Sequence, residues 1–279
     1  MRWLKASHGA TFDALVIKLW LSSPNLLDRV RPCQYNKQVP QKNRYKIYAK
    51  NSYYHAYNRG VEKREIFLDE EDYFVFLHLL KYYLSPSNQN LIHPSKDLNK
   101  YKVIRPRPLI NLSKEVDLLA FCLMPNHFHL LIKQSSLDGM TKLLRGLLTT
   151  YSMYFNKRYD RVGHLFQGHY KAVMIMDDPY LLHLSRYIHL NPTELSVTGS
   201  DPVSYPYSSY QYYLGMKKAV WIKPEFILKY FDTSKMLPNL RKYPSYKTEG
   251  FASSAYKEFV EGNPEDPCEV LGTLTIETE

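Results

Sequence analysis

The chain has 279 residues, 44% of them hydrophobic, enough for a proper core in one large domain or in an ordinary domain with extensions. Lys and Arg number 37 against 27 Asp and Glu, a formal charge of +10, and this excess favours a polyanionic partner such as nucleic acid without separating DNA from RNA or an acidic membrane. Cys33, Cys122 and Cys268 are odd in number, far apart and in no CxxC pattern, which argues against a disulfide framework or a cysteine zinc site and fits a reducing cytoplasm.

In chain order, Ala14 to Leu21 is apolar but short and interrupted by Lys18, so neither a membrane span nor a signal peptide is expected. Residues 1–46 read as a poorly ordered basic extension, with Lys37, Lys42, Arg44 and Lys46 in its polar run. A domain is expected over residues 47–195, and residues 196–279 read as a C-terminal extension with short helices. Tyr53 to Tyr57 predicts a strand, Asn58-Arg59-Gly60 a turn, and Glu70 to Tyr83 a helix capped by Asp69. Leu84 to Lys114, with Pro86, Pro94, Pro106 and Pro108, predicts a long loop made basic by Lys100, Lys102, Arg105 and Arg107.

Val116–Leu123 and His127–Lys133 predict an antiparallel hairpin around Met124-Pro125-Asn126. Met140, Leu143, Leu144, Leu147, Leu148, Tyr151, Tyr154 and Phe155 recur at helical spacing and predict an amphipathic helix over 138–159. Leu165 to Met176 predicts a strand in which Gly168 marks a bulge or a close approach. Asp178-Pro179 opens, and Pro192 closes, a helix whose buried face is Leu181, Leu184 and Ile188. Short helices are expected over 224–231 and 253–261.

The chemistry starts from His127 and His129. Two residues apart on a strand, they project from one face while Phe128, Leu130 and Ile132 take the other, and two neutral imidazoles side by side are half of a metal site. Tyr187 and Asn191, four apart on the proline-closed helix, share a face displaced from the leucine stripe. If that helix packs on the histidine strand, His127, His129 and Asn191 become three neutral ligands for a divalent metal, with Mg or Mn favoured by the amide oxygen and zinc left open. Such a metal polarises a phosphoryl oxygen while a tyrosine attacks phosphorus. His183, one turn before Tyr187, is a second candidate for the third ligand. Among the 25 tyrosines, Tyr151 and Tyr154 belong to an apolar stripe and Tyr180 sits at the start of the helix, away from Asn191.

Here a resemblance becomes specific. Met124-Pro125-Asn126-His127-Phe128-His129-Leu130-Leu131, then Leu165-Phe166-Gln167-Gly168-His169-Tyr170-Lys171, then Arg186-Tyr187-Ile188-His189-Leu190-Asn191-Pro192 resemble the HUH single-tyrosine transposases, and among them the REP-associated tyrosine transposases of bacteria. Tyr54-His55-Ala56-Tyr57-Asn58-Arg59-Gly60 and Ile66-Phe67-Leu68-Asp69 extend the likeness to residues 47–195. The resemblance implies an α+β fold, with an antiparallel β-sheet flanked by helices in a ferredoxin-like or RRM-like arrangement. It also implies divalent-metal dependence, single-stranded DNA with a hairpin or palindromic repeat as substrate, and a 5′-phosphotyrosine intermediate. Position by position, His127 and His129 match the paired metal histidines and Tyr187 the nucleophile, and Asn191 stands where related enzymes often have Gln.

Arg59, Lys63, Arg64, Arg158, Arg161 and Lys171 are candidate phosphate contacts, although solvated surface is the ordinary role of such residues. The expected function is a transposase that cleaves and rejoins single-stranded DNA in the cytoplasm, as a monomer or a homodimer. The rival readings are a catalytically silent DNA-binding regulator on the same fold and a zinc hydrolase.

Overall fold

A computed structural model describes residues 48–86, 94–103, 108–195, 201–232 and 250–262. The expected N-terminal extension, Arg105 and Arg107 lie outside these residues. Four strands, β1 (Ser52–Arg59), β2 (Val116–Met124), β3 (His127–Gln134) and β4 (Lys171–Ile175), form one antiparallel sheet in the order β2-β3-β1-β4. Between them run α1 (Glu70–Leu84), α2 (Ser95–Lys100) and α3 (Gly139–Arg158), and α4 (Asp178–Leu190) follows β4. Without the short α2, the sequence β1-α1-β2-β3-α3-β4 is the β-α-β-β-α-β order of ferredoxin-like folds. The chain is therefore α+β, as expected.

Strand alternation gives the sheet two faces with different burdens. Tyr54 and Ala56 of β1, Phe128, Leu130 and Ile132 of β3, and Phe121 and Leu123 of β2 face α1 and α3, where Phe76, Leu79, Leu80, Leu143, Leu144, Leu147 and Tyr151 complete the larger core. The opposite face carries His55, Tyr57 and Arg59 in register with Leu131, His129 and His127. Its apolar part, Ala120, Cys122, Met124, Leu131 and Ile175, is covered by Leu181, Leu184, Tyr187 and Ile188 of α4.

The far side of α4 is also covered. The helices α5 (Tyr210–Tyr213), α6 (Glu225–Leu228) and α7 (Phe251–Glu261) bring Tyr213, Ile227, Phe231, Tyr256 and Phe259 into the same apolar cluster. Polar contacts pin this layer: His189 bridges Tyr256 Oη at 2.8 Å and Ser209 Oγ at 2.7 Å, and Arg186 Nε donates to the Val260 carbonyl at 3.1 Å. Ser209 Oγ in turn accepts from Phe121 N–H of the outer strand at 2.8 Å.

Four local expectations change. Asn58 and Arg59 are strand residues, and the chain turns only over Val61–Lys63, because their partners Phe128 and His127 extend the ladder by two residues. The strand expected over 165–176 is confined to 171–175: Gly168 has φ 71° and donates back to Phe166, a tight turn that breaks the ladder. The cap of α4 is Asp177, which accepts from Tyr180 N–H at 2.8 Å, and Pro179 follows inside the first turn. The basic loop also holds the short helix α2.

Asp72, fully buried, ties α1 to α3. It accepts from Arg158 at 2.7 Å, from the Tyr154 and Tyr159 hydroxyls at 3.0 and 2.9 Å, and from Leu68 N–H at 2.8 Å. In Asp72→Ala the Arg158 guanidinium keeps Asp69 and Glu71, but the Tyr154 and Tyr159 hydroxyls and Leu68 N–H lose this acceptor, and the chain is expected to be destabilised by about 1–3 kcal/mol in urea unfolding.

Candidate active site

One loop gathers the ends of three strands. Ile66 and Phe67 N–H both donate to the Pro125 carbonyl at 2.7 and 3.0 Å, and Gly60 N–H donates to the Asn126 carbonyl at 2.8 Å, so the loop after β1 clasps the β2–β3 turn. Val61 N–H reaches the Leu165 carbonyl at 3.0 Å and Gln167 N–H the Arg59 carbonyl at 2.8 Å, drawing the approach to β4 into the same corner. A Cβ at Gly60 would sit 2.2 Å from the Arg64 carbonyl, so this close approach requires glycine.

His127 stands in this corner between two amides whose orientations are fixed. Asn126 Nδ2 donates to the Lys63 carbonyl at 3.3 Å, which turns Asn126 Oδ1 toward His127 Nδ1 at 2.6 Å. Only an Nδ1–H can satisfy that oxygen, so the neutral ring carries its lone pair on Nε2. On α4, Asn191 Nδ2 donates to the Tyr187 carbonyl at 2.8 Å, and its Oδ1 faces His127 Nε2 at 3.3 Å. Two electron-pair donors thus confront one another across 3.3 Å.

His129 lies beside this pair, its ring centroid 4.9 Å from that of His127 and 5.3 Å from that of Tyr187, which meets it edge-on. It is fully buried, and its Nε2 has no hydrogen-bond partner. Burial, reinforced by the neighbouring His127, His55 and Arg59, holds its pKa well below the usual histidine range, so it stays neutral and able to ligate. Tyr187 is 2% exposed and Asn191 1%. The two histidines, the phenol and the amide are therefore brought together as the sequence reading expected.

This donor set fits a divalent cation. The donors are of the types such a cation takes: two imidazole nitrogens, His127 Nε2 and the orphaned His129 Nε2, and the amide oxygen Asn191 Oδ1 that faces His127. Among the described residues no group of three or more His, Cys, Asp or Glu could hold a metal, so a third donor beside the two histidines would have to be another residue type, such as the Asn191 amide. His183 is buried and meets Phe259 of α7 edge-on at 5.6 Å.

Tyr57, Asn58, Arg59, Glu62, Lys63, Gln167 and Lys171 line a cavity of about 170 Å³ on the histidine face, where α4 leaves the sheet open. Three of the six candidate cations lie there. Arg161 is close enough to Arg64 that the like charge, together with burial, lowers its pKa, while Arg64 also pairs with Glu62 at 3.1 Å. Arg158 is placed differently, its charge met by Asp69, Glu71 and Asp72. Tyr151 and Tyr154 are core residues bonded to the Ile66 carbonyl and Asp72.

Sequence reasoning missed His55 and the role of Asn126. His55 alternates with Tyr57 and Arg59 on one strand face, a signal present in the sequence but without meaning until the β1–β3 register is known.

His55, His129 and His189 are all fully buried, and burial lowers His55 and His189 to about 3. The unfolded chain takes up protons at these sites below pH 6.5 while the folded chain does not, so stability falls as pH drops from 6.5 toward 3. The expected slope is up to about 1.4 kcal/mol per pH unit for each such histidine, read from urea unfolding between pH 7 and 4.

Residues 107–191 match a family model described as "Transposase IS200 like". No curated protein matches the chain. Among solved structures it is similar to a REP-associated tyrosine transposase bound to a REP hairpin, at 15% identity and a TM-score of 0.41, over 64% of this chain and 90% of that one. The matched stretch includes His127, His129, Tyr187 and Asn191.

Proposed function

We propose that the chain is a transposase that binds hairpin-bearing single-stranded DNA and cuts and rejoins it by transesterification through Tyr187. The observation that carries this reading is the meeting of one phenol with two imidazoles and an amide oxygen at one end of the sheet. His127, His129 and Asn191 are the side chains that hold the ion, Mg2+ or Mn2+, which when bound acts as a Lewis acid on a phosphoryl oxygen.

The chain's own residues do the rest. Tyr187 Oη forms a bond to phosphorus as the bond from phosphorus to O3′ breaks; the phenol loses its proton and the departing O3′ takes one up. The product is a 5′-phosphotyrosine and a free 3′-hydroxyl. Phenolate is a better leaving group than an alkoxide, so the attack of a 3′-hydroxyl on the same phosphorus reverses the step without another energy source. An ordinary phenol has a pKa of about 10, so ionisation needs the nearby positive charge. Catalysis rests on positioning and charge stabilisation, to which a helix packed on both faces is well suited.

Arg59, Lys63 and Lys171, which line the cavity, are the proposed phosphate contacts, together with Arg64, paired to Glu62 of the lining, and Arg161 near it. Arg158 is left out of this set because carboxylates already surround it. Each phosphate contact releases a counterion from the DNA backbone.

The test is a single-stranded hairpin oligonucleotide incubated with the protein and Mn2+, followed by denaturing electrophoresis and mass mapping of the adduct. A DNA–peptide adduct on Tyr187, absent in Tyr187→Phe, is the expected result; an adduct that survives this substitution, or none with the unaltered chain, overturns the reading. Lys171→Ala and Lys63→Ala are each expected to weaken binding to all such oligonucleotides and to lower the log–log salt slope by about 1, as measured by fluorescence anisotropy at several salt concentrations.

A further inference from the structure

Of the buried histidines that the chemistry above leaves unused, His55 is the one that touches the ligating rings. His55 on β1 pairs in register with Leu131, two residues beyond His129, and its Nε2 lies 2.9 Å from His129 Nδ1. The two rings stack with centroids 5.1 Å apart, and Tyr57 at 4.7 Å and Tyr187 at 6.3 Å confine His55 further. Both histidines are fully buried, and the outward atoms of the pair, His55 Nδ1 and His129 Nε2, have no hydrogen-bond partner.

Two neutral imidazoles carry two N–H groups between them, and one of these bridges the rings. If His55 Nε2–H donates to His129 Nδ1, then His129 Nε2 carries a hydrogen and presents N–H to the cation site. If His129 Nδ1–H donates to His55 Nε2, then His129 Nε2 is a lone pair and can ligate. Both arrangements hold the same number of protons and differ only in which end of the pair carries the orphaned N–H. A cation at His129 Nε2 is compatible with the second alone.

We propose that His55 is a positioning residue for the metal centre, the acceptor of His129 Nδ1–H that turns His129 Nε2 toward the cation. Asn126 performs the same service for His127, so each ligating ring has its own backing acceptor: an amide locked by the Lys63 carbonyl for one, a second imidazole for the other. Backing groups of this kind fix ligand tautomer and orientation, and losing one typically costs 10- to 100-fold in metal affinity. The proposal rests on the reading of His127, His129 and Asn191 as a metal site.

The experiment is Mn2+ binding to the full chain by isothermal titration calorimetry, without DNA. His55→Leu removes the acceptor and is expected to weaken Mn2+ binding by about 10- to 100-fold, whereas in His55→Gln, whose carbonyl can accept the same hydrogen bond, most of the affinity is restored. His127→Ala is the control for the site itself. Unaltered affinity in His55→Leu together with a loss in His127→Ala overturns the positioning role alone, and so does an equal loss in both His55 variants. No loss in any variant overturns the metal site and this proposal with it. If His55→Leu fails to fold, nitrogen-15 ring spectra of the unaltered, Mg2+-loaded chain decide: hydrogen on His129 Nδ1 and none on His55 Nε2 supports the proposal, and the reverse overturns it.

Discussion

The register between β1 and β3 is the constraint on which the site depends. Pairing Arg59 with His127 and Tyr57 with His129 puts both imidazoles on the face toward α4 and sends Phe128 and Leu130 into the core with α1 and α3. Because side chains alternate with a period of two, a slip of one residue would bury the histidines among phenylalanines and turn Phe128 toward Asn191. Such a slip is opposed from both sides of the sheet, since each face has its own apolar cluster to lose. The clasp of the Gly60–Phe67 loop on the Pro125-Asn126 turn adds a third lock at the end where the chemistry sits.

Hydrogen bonds then turn a pair of rings into a set of aimed electron pairs. Both amides that face His127 are oriented by a backbone carbonyl: Asn126 by Lys63, Asn191 by Tyr187. Each bond turns the amide so that its oxygen is the end facing His127. The backbone of α4 therefore contributes to the site through the Tyr187 carbonyl as well as through the Tyr187 ring. Asn191 is the residue that joins the two roles.

Much of this was legible in the chain. The hairpin, the amphipathic helix and the proline-marked helix follow from periodicity and capping, and the His-x-His pair with Tyr187 and Asn191 four apart marks a shared face. What stayed hidden depends on tertiary pairing. His55 has no meaning before β1 lies beside β3, and Asn126 reads as a turn residue until the Lys63 carbonyl arrives from a separate loop. Arg158, at the basic end of a helix, looks like a phosphate contact; its engagement by Asp69 and Asp72, more than eighty residues earlier, is a long-range event that no local pattern encodes.

The layer behind α4 has a mechanical consequence. His189, Arg186 and Ser185 on that helix are bonded to α7 and to the segment leading into α5, while Tyr187 and Ile188 pack toward the sheet, so the helix is bolted front and back. Tyr187 therefore rides on a helix held from two sides. On the proposed chemistry, exchanging one strand end for another falls to the nucleic acid, which must thread successive phosphates past a stationary tyrosine.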